Sequence, residues 1–367
     1  MATQHLPTTY TTPTQRLPIP THLTEQVAEL VASSKRPNTA RAYQSDWRLF
    51  TSWCERHQLD PLPADPATVA AYLADRSTQL RVATLTRHLA TISKAHKTAG
   101  YKWERNPAQS ELVRATVEGI QATTDTTPQR AAAMTTERML LVLSAIAVER
   151  PAGYGLPARP DPAGLRDRAL LLVGWHAALR RSELAQLNWG DIAADPDGLK
   201  LTIRHSKTDK QHSGQLVGLP AEPDAPELCP VAALQAWRDY CELHGWYAAE
   251  GSTGTAHDQP VFRAVNRHHH LGGRLTGHAV GAIVSRRSEA VELDSMTGHS
   301  LRRGLIEAAH LAGVDDSTIM QTSRHKSVAV MRGYKGDAGV VSKSAGRGLL
   351  KQAQDRSTGL LKQARDC

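Results

Sequence analysis

The chain has 367 residues, 40% of them hydrophobic, and carries 44 Lys and Arg against 36 Asp and Glu for a formal net charge of +8. That length suits two domains with real cores, and the basic balance favours a polyanionic partner. No apolar run reaches the roughly 18 residues a membrane-spanning helix needs, and the N-terminus lacks a secretory pattern, so neither a membrane-spanning nor a secreted protein is expected.

In chain order, residues 1–24 are rich in Thr and Pro without periodicity and are expected to be disordered. Residues 25–122 read as helical throughout. Asn38 is a candidate cap for a helix with Tyr43, Trp47, Phe50 and Cys54 on one face. Asp65-Pro66 starts a second helix with Val69, Tyr72 and Leu73 inside. Leu85, Leu89 and Ile92 form the stripe of a third that stops at Gly100, and Asn106-Pro107 opens a fourth with Val113, Val117 and Ile120 buried. These four make a compact helical domain.

Residues 123–130 are polar and read as a linker to a larger domain over 131–340. There the pattern predicts helices at 136–148, 164–186, 230–244, 276–291, 299–312 and 316–323. Leu199–Arg204 alternates as a half-buried strand, and after a polar turn Gln215–Leu219 returns, giving a small hairpin or sheet. In the tail, residues 341–367, Gly348-Leu-Leu-Lys-Gln-Ala-Gln-Asp recurs eleven residues later from Gly359, so both Leu pairs share one helical face. That suits either a frayed amphipathic tail or a helix docking on a neighbouring protomer. The fold class is mainly α with a small β-sheet. Four scattered cysteines, Cys54, Cys229, Cys241 and Cys367, lack metal or redox spacing, which predicts a reduced cytoplasmic setting.

Five short pieces carry chemistry: Ala178-Leu-Arg180-Arg-Ser-Glu183-Leu, Ser206-Lys207-Thr-Asp, Gly298-His299-Ser-Leu-Arg302-Arg-Gly, Arg324-His325-Lys-Ser and Gly333-Tyr334. Taken singly, each is more often a surface charge, a core histidine or a half-buried aromatic. Their order resembles the tyrosine recombinase, or phage-type integrase, family, in which arginine, lysine, H-x-x-R, a second His or Trp and tyrosine follow one another. The separations also look like the family's, 23 residues from Arg302 to His325 and nine from His325 to Tyr334. The resemblance extends to Asn38-Thr-Ala-Arg41-Ala-Tyr43, where it implies the start of a helical core-binding domain, and covers about residues 25–340.

The residue types suit phosphoryl transfer. Attack on an anionic phosphodiester builds further negative charge, and a guanidinium is permanently charged and binds two oxygens at once. Arg180 and Arg302 are the candidates for that role. A phenol is a weak nucleophile at neutral pH, and His299 is the candidate base for Tyr334. The resemblance implies that Lys207 protonates the departing 5′ oxygen, that His325 donates to the phosphate, that Glu183 orients the basic residues, and that a 3′-phosphotyrosyl intermediate and a Holliday junction form within four protomers. It implies no metal and no cofactor. Where the family usually has glycine before the second histidine, this chain has Arg324, which is expected to add charge near the phosphate. Leu305-Ile306-Glu307 and Lys335-Gly336 also depart from the usual residues.

For DNA contact, residues 81–102 contain Arg81, Arg87, Lys94, Lys97 and Lys102 and no acidic residue, with Thr84, His88, Ser93 and His96 as polar reach. Lys35, Arg36 and Arg41 form a second basic group. His268-His269-His270 reads as an exposed or DNA-facing loop, since no partner lies at metal-ligand spacing. The expected partner is double-stranded DNA with a specific inverted-repeat site, bound as a dimer per site and a homotetramer overall near the bacterial nucleoid, with room for an accessory factor. The rivals are a type IB topoisomerase or telomere resolvase, and a non-catalytic DNA-binding regulator that kept the fold.

Overall fold

The computed structural model describes residues 22, 23, 26, 37–101, 106–124, 131–152, 157–204, 214–244 and 256–333. The chain divides into two units, Met1–Gln129 and Arg130–Cys367.

The first unit consists of α1 (Pro37–Arg56), α2 (Pro66–Ser77), α3 (Val82–Thr98) and α4 (Glu111–Thr123). Asp65 starts α2 by accepting the Ala67 N–H at 2.8 Å, with Pro66 at the first helical position. The apolar stripes meet in one core of Phe50, Trp53, Cys54, Val69, Tyr72, Leu73, Leu85, Ile92 and Val113. Two boundaries differ from expectation. Asn38 lies inside α1 rather than before it, and Asn106-Pro107 opens only a single 3-10 turn, Pro107–Gln109, after which the Ser110 hydroxyl caps α4.

His88 and His96 are not polar reach toward DNA; both are core residues, 2% and 0% exposed. The Tyr72 hydroxyl lies 2.7 Å from His88 Nδ1, and His88 Nε2 lies 3.2 Å from the buried Asp46 carboxylate. His96 Nε2 accepts the Ala64 N–H at 2.9 Å, which leaves its Nδ1–H to donate to the Ile92 carbonyl at 2.9 Å. Satisfied buried imidazoles cost far less than their polarity suggests.

The second unit holds α5 (Thr136–Ser144), α6 (Pro162–His176), α7 (Arg181–Gln186), α8 (Pro230–Leu243), α9 (Gly277–Glu289), α10 (Gly298–Leu311), α11 (Asp316–Ser323) and α12 (Val328–Arg332). Helix α6 is buried on every side through Ala169–Gly174 and is the axis on which α8 and α10 pack. A three-stranded antiparallel sheet, β3 (Ile192–Asp195), β4 (Gly198–Ile203) and β5 (Gln215–Pro220), buries alternate residues Leu201, Ile203, Val217 and Leu219. Strand β5 also packs against α11. Two short antiparallel pairs complete the sheets, β1 (Glu149–Arg150) with β2 (Arg159–Pro160) and β6 (Arg263–Val265) with β7 (Leu271–Arg274).

The expected single helix over 164–186 is two helices. α6 ends in a Schellman turn: the Ala178 N–H donates to the Trp175 carbonyl at 3.0 Å, the Leu179 N–H donates to the Gly174 carbonyl at 3.0 Å, and Ala178 is left-handed at φ 46°. Glycine normally takes that position, so an alanine there gives no warning of the break.

The chain leaving the linker is bound across α10. The Met134 N–H donates to the Ser300 carbonyl at 3.0 Å, the Trp175 indole donates to the Met134 carbonyl at 2.9 Å, and Arg303 donates to the Ala131 carbonyl at 2.9 Å. Gly304 permits this approach, because a Cβ there would lie 1.9 Å from the Met134 carbonyl oxygen. Gly304→Ala is therefore expected to cost about 1–3 kcal/mol as an overpacking substitution. Chemical denaturation checks this; an unchanged midpoint would show that the segment is not bound as described.

Candidate active site

The candidate cluster forms where the turn after α6 meets the end of α11. Gly174 sets the approach: a Cβ there would lie 2.8 Å from Leu301 of α10 and 2.9 Å from Leu184 of α7, the neighbours of Arg302 and Glu183. The 177–180 turn carries Arg180 and accepts bonds from Arg302 and Arg324, and Arg302 in turn meets His325.

Arg180 caps α7 and reaches Glu183 twice. Its Nη1 donates to the Glu183 carboxylate at 2.7 Å and its backbone N–H donates to the same group at 2.9 Å. Arg302, 1% exposed, donates through Nη1 to the Ala178 carbonyl at 2.7 Å and through Nη2 to the Ser323 carbonyl, and Nη2 also lies 3.3 Å from His325 Nε2. Main-chain acceptors therefore orient this guanidinium. His325 Nδ1 lies 2.8 Å from the Ser323 hydroxyl, which can donate or accept and so satisfies either tautomer of the ring.

Arg324 adds its charge to this cluster from within, through Glu183, rather than from the surface. It is 6% exposed and turned inward, donating to the Glu183 carboxylate at 2.6 Å. Its backbone is left-handed, φ 57° and ψ 39°, which explains why glycine suits the position. Burial alone raises the Glu183 carboxyl, but Arg324 and both donors of Arg180 outweigh it and hold the group below its ordinary value.

Burial, then Arg302, Arg180 and Arg324, push His325 down to about 4. Because the folded value lies below the unfolded one, the unfolded chain takes up the proton first. Stability is whole near neutral pH and is lost as pH falls from about 6.5 toward 4, by about 2 kcal/mol at pH 5. The melting temperature of the wild type should fall further between pH 7 and pH 5 than that of His325→Gln. Equal falls would contradict the burial of a neutral imidazole here.

His299 is exposed in the first turn of α10, three residues before Arg302. Tyr334, Lys207, Lys35, Arg36, Lys102 and the repeat in the tail lie outside the described residues. The last described residue, Gly333, ends α12, which is anchored by Met331 against Ile306 and Ile319. Among the basic residues of the first unit, Arg41, Arg81 and Lys97 are exposed. Lys94 lies over the Tyr43 ring at 4.9 Å, and Arg87 forms a two-pronged pair with Asp46 at 2.8 and 3.0 Å. His268–His270 sit in the β6–β7 turn, and among the described residues no group of His, Cys, Asp and Glu is placed to hold a metal ion. No helix among them is long and apolar enough to cross a membrane.

The phage integrase family model matches residues 154–338, half of the chain. A curated relative, the integrase/recombinase xerD homolog of Selenomonas ruminantium, is 32% identical over 304 residues and covers 82% of both chains. This chain belongs to the phage integrase family. The family's members are tyrosine recombinases, which cut and rejoin DNA, and that is the activity of this enzyme. Two solved structures show the same fold. XerH site-specific recombinase bound to palindromic difH substrate aligns with a TM-score of 0.54 at 16% identity, over 78% of this chain and 72% of that one. A lambda integrase tetramer bound to a Holliday junction aligns at 0.52 and 17% identity, over 87% of this integrase and 78% of that chain.

Proposed function

We propose that this integrase-family recombinase acts at a specific inverted-repeat DNA site, with Tyr334 as nucleophile and Arg180, Arg302 and His325 as the phosphate-binding group. The observation that carries the reading is that Arg302 bonds the Ala178 carbonyl of the turn bearing Arg180, 124 residues earlier in the chain, while its Nη2 lies 3.3 Å from His325 and Glu183 accepts from Arg180. Preorganised donors are worth most where water is excluded, and Arg302 and His325 are both buried.

In the proposed step the Tyr334 oxygen bonds to phosphorus as the bond to the 5′ oxygen breaks. His299 takes the phenolic proton and Lys207 supplies one to the departing 5′ oxygen. The phosphotyrosyl ester conserves the bond, and a 5′ hydroxyl from another strand reverses the step. An arriving phosphate oxygen is a common acceptor for Arg302 Nη2 and for His325 in its Nε2-protonated form. The Ser323 hydroxyl then donates to Nδ1, so no buried group is left unsatisfied. None of these roles calls on a metal or a cofactor.

The helical unit, through Arg41, Arg81, Lys94 and Lys97, is proposed to follow the phosphate backbone, so affinity should fall with salt. Arg87 contributes less there, because Asp46 already engages it. The lambda integrase tetramer on a Holliday junction supports a tetramer at the junction, with a dimer on each site; the tail is proposed to dock in trans, and the enzyme to act in the cytoplasm beside the nucleoid. An accessory factor is compatible with this reading.

The test is intermolecular strand exchange between two labelled duplexes carrying the DNA that flanks the encoding gene. Joint products that depend on the site support site-specific recombination. Relaxation of any supercoiled plasmid without joint products would favour a topoisomerase instead.

A further inference from the structure

We infer that Arg324 is a positioning residue for strand cleavage, sharing the Glu183 carboxylate so that the carboxylate screens less of the field that Arg180 presents to the scissile phosphate. The inference rests on the phosphate role proposed above for Arg180.

One carboxylate serves two guanidinium groups here. Glu183 accepts from Arg180 at 2.7 Å and from Arg324 at 2.6 Å, and both Glu183 and Arg324 are nearly buried, 2% and 6% exposed. Arg180 is the more open partner, 13% exposed at its side chain. In a low-dielectric pocket, a carboxylate paired with Arg180 alone would cancel most of the field that Arg180 presents. A second buried guanidinium on the other oxygen of the same carboxylate returns that field. The sum over Arg180, Arg302, Arg324 and Glu183, with His325 neutral, is then two positive charges rather than one. A pentacoordinate phosphorus carries more negative charge than the diester it comes from, so the extra charge favours the transition state over bound substrate.

The backbone points the same way. Residue 324 is left-handed, where an arginine is disfavoured and a glycine is at home. The side chain compensates by spanning from the end of α11 to the 177–180 turn, donating to the Ala178 carbonyl at 3.4 Å as well as to Glu183. Ala178 is also the acceptor for Arg302, and His325 is the next residue along the chain. Arg324 thereby fastens the loop bearing His325 to the helix start bearing Arg180.

The test is single-turnover cleavage of nicked duplexes tiled across the DNA flanking the encoding gene, read as covalent adduct per unit time, with DNA affinity measured separately. Arg324→Gly suits the left-handed backbone and should fold. It should cleave roughly tenfold more slowly with little change in affinity, the size expected within one ion-pair network. Adding Glu183→Gln removes the carboxylate charge left facing Arg180, so the double variant should cleave faster than Arg324→Gly alone. A purely structural role predicts the reverse, with the double variant at least as slow as the slower single one. If Arg324→Gly melts below the assay temperature, Arg324→Asn, which also tolerates left-handed backbone, replaces it. Wild-type rates in the Arg324 variant, or no recovery in the double, overturn the inference and leave the proposed site standing. Absence of any wild-type adduct overturns the site itself.

Discussion

Arg302→Lys should slow strand cleavage by about two to three orders of magnitude, the usual loss when one preorganised donor is removed from a phosphoryl- or acyl-transfer site. Lysine keeps the charge but not the planar fork. In the folded chain that fork already spans the Ala178 and Ser323 carbonyls and touches His325, so an ammonium cannot satisfy all three. Loss of the Arg302 bond to the Ser323 carbonyl should cost about 1–3 kcal/mol in stability, whereas the Ala178 carbonyl also accepts from Arg324 at 3.4 Å. DNA affinity should change little if, as proposed, phosphate contacts spread over the helical unit dominate it. Single-turnover cleavage and a binding assay on the same duplexes separate these effects. Near wild-type cleavage by the lysine variant would show that charge alone suffices and that the orienting carbonyls are incidental.

Glu183→Leu should be the most destabilising single change in the pocket. It leaves Arg180 and Arg324 facing one another without the carboxylate between them, and breaking a buried ion pair from one side typically costs about 3–5 kcal/mol. It also removes the acceptor of the Arg180 backbone N–H at the start of α7. Glu183→Gln keeps an acceptor and should lose less stability. Chemical denaturation of the two variants checks the order; similar losses would mean that shape, not charge, holds the turn.

Much of this was legible in the sequence because local chemistry marks it. Asp65-Pro66 announces its helix by a cap and a fixed φ, and the alternation of Leu199–Ile203 announces a strand. Candidate residues could be chosen in order because each sits in its own short motif. What escaped did so for identifiable reasons. The break after α6 is made by Ala178 in a conformation that glycine normally marks. The inward turn of Arg324 depends on Glu183, 141 residues earlier, and an arginine before a catalytic-type histidine reads as surface charge when taken alone. His88 and His96 look like DNA-facing residues until Asp46, Tyr72 and the Ala64 amide are brought to them by packing. Short pieces such as β6, β7 and α12 contain too few residues to show a period.

The convergence of Arg180, Arg302 and His325 has meaning only if the tyrosine just beyond α12 attacks the phosphate they hold. The direct measurement is to trap protein on nicked duplex from the flanking DNA and map the modified peptide by mass spectrometry. The account predicts a single DNA-bearing residue, Tyr334, and no adduct from Tyr334→Phe although that variant still binds. An adduct on any other side chain, or one that survives in Tyr334→Phe, would contradict it.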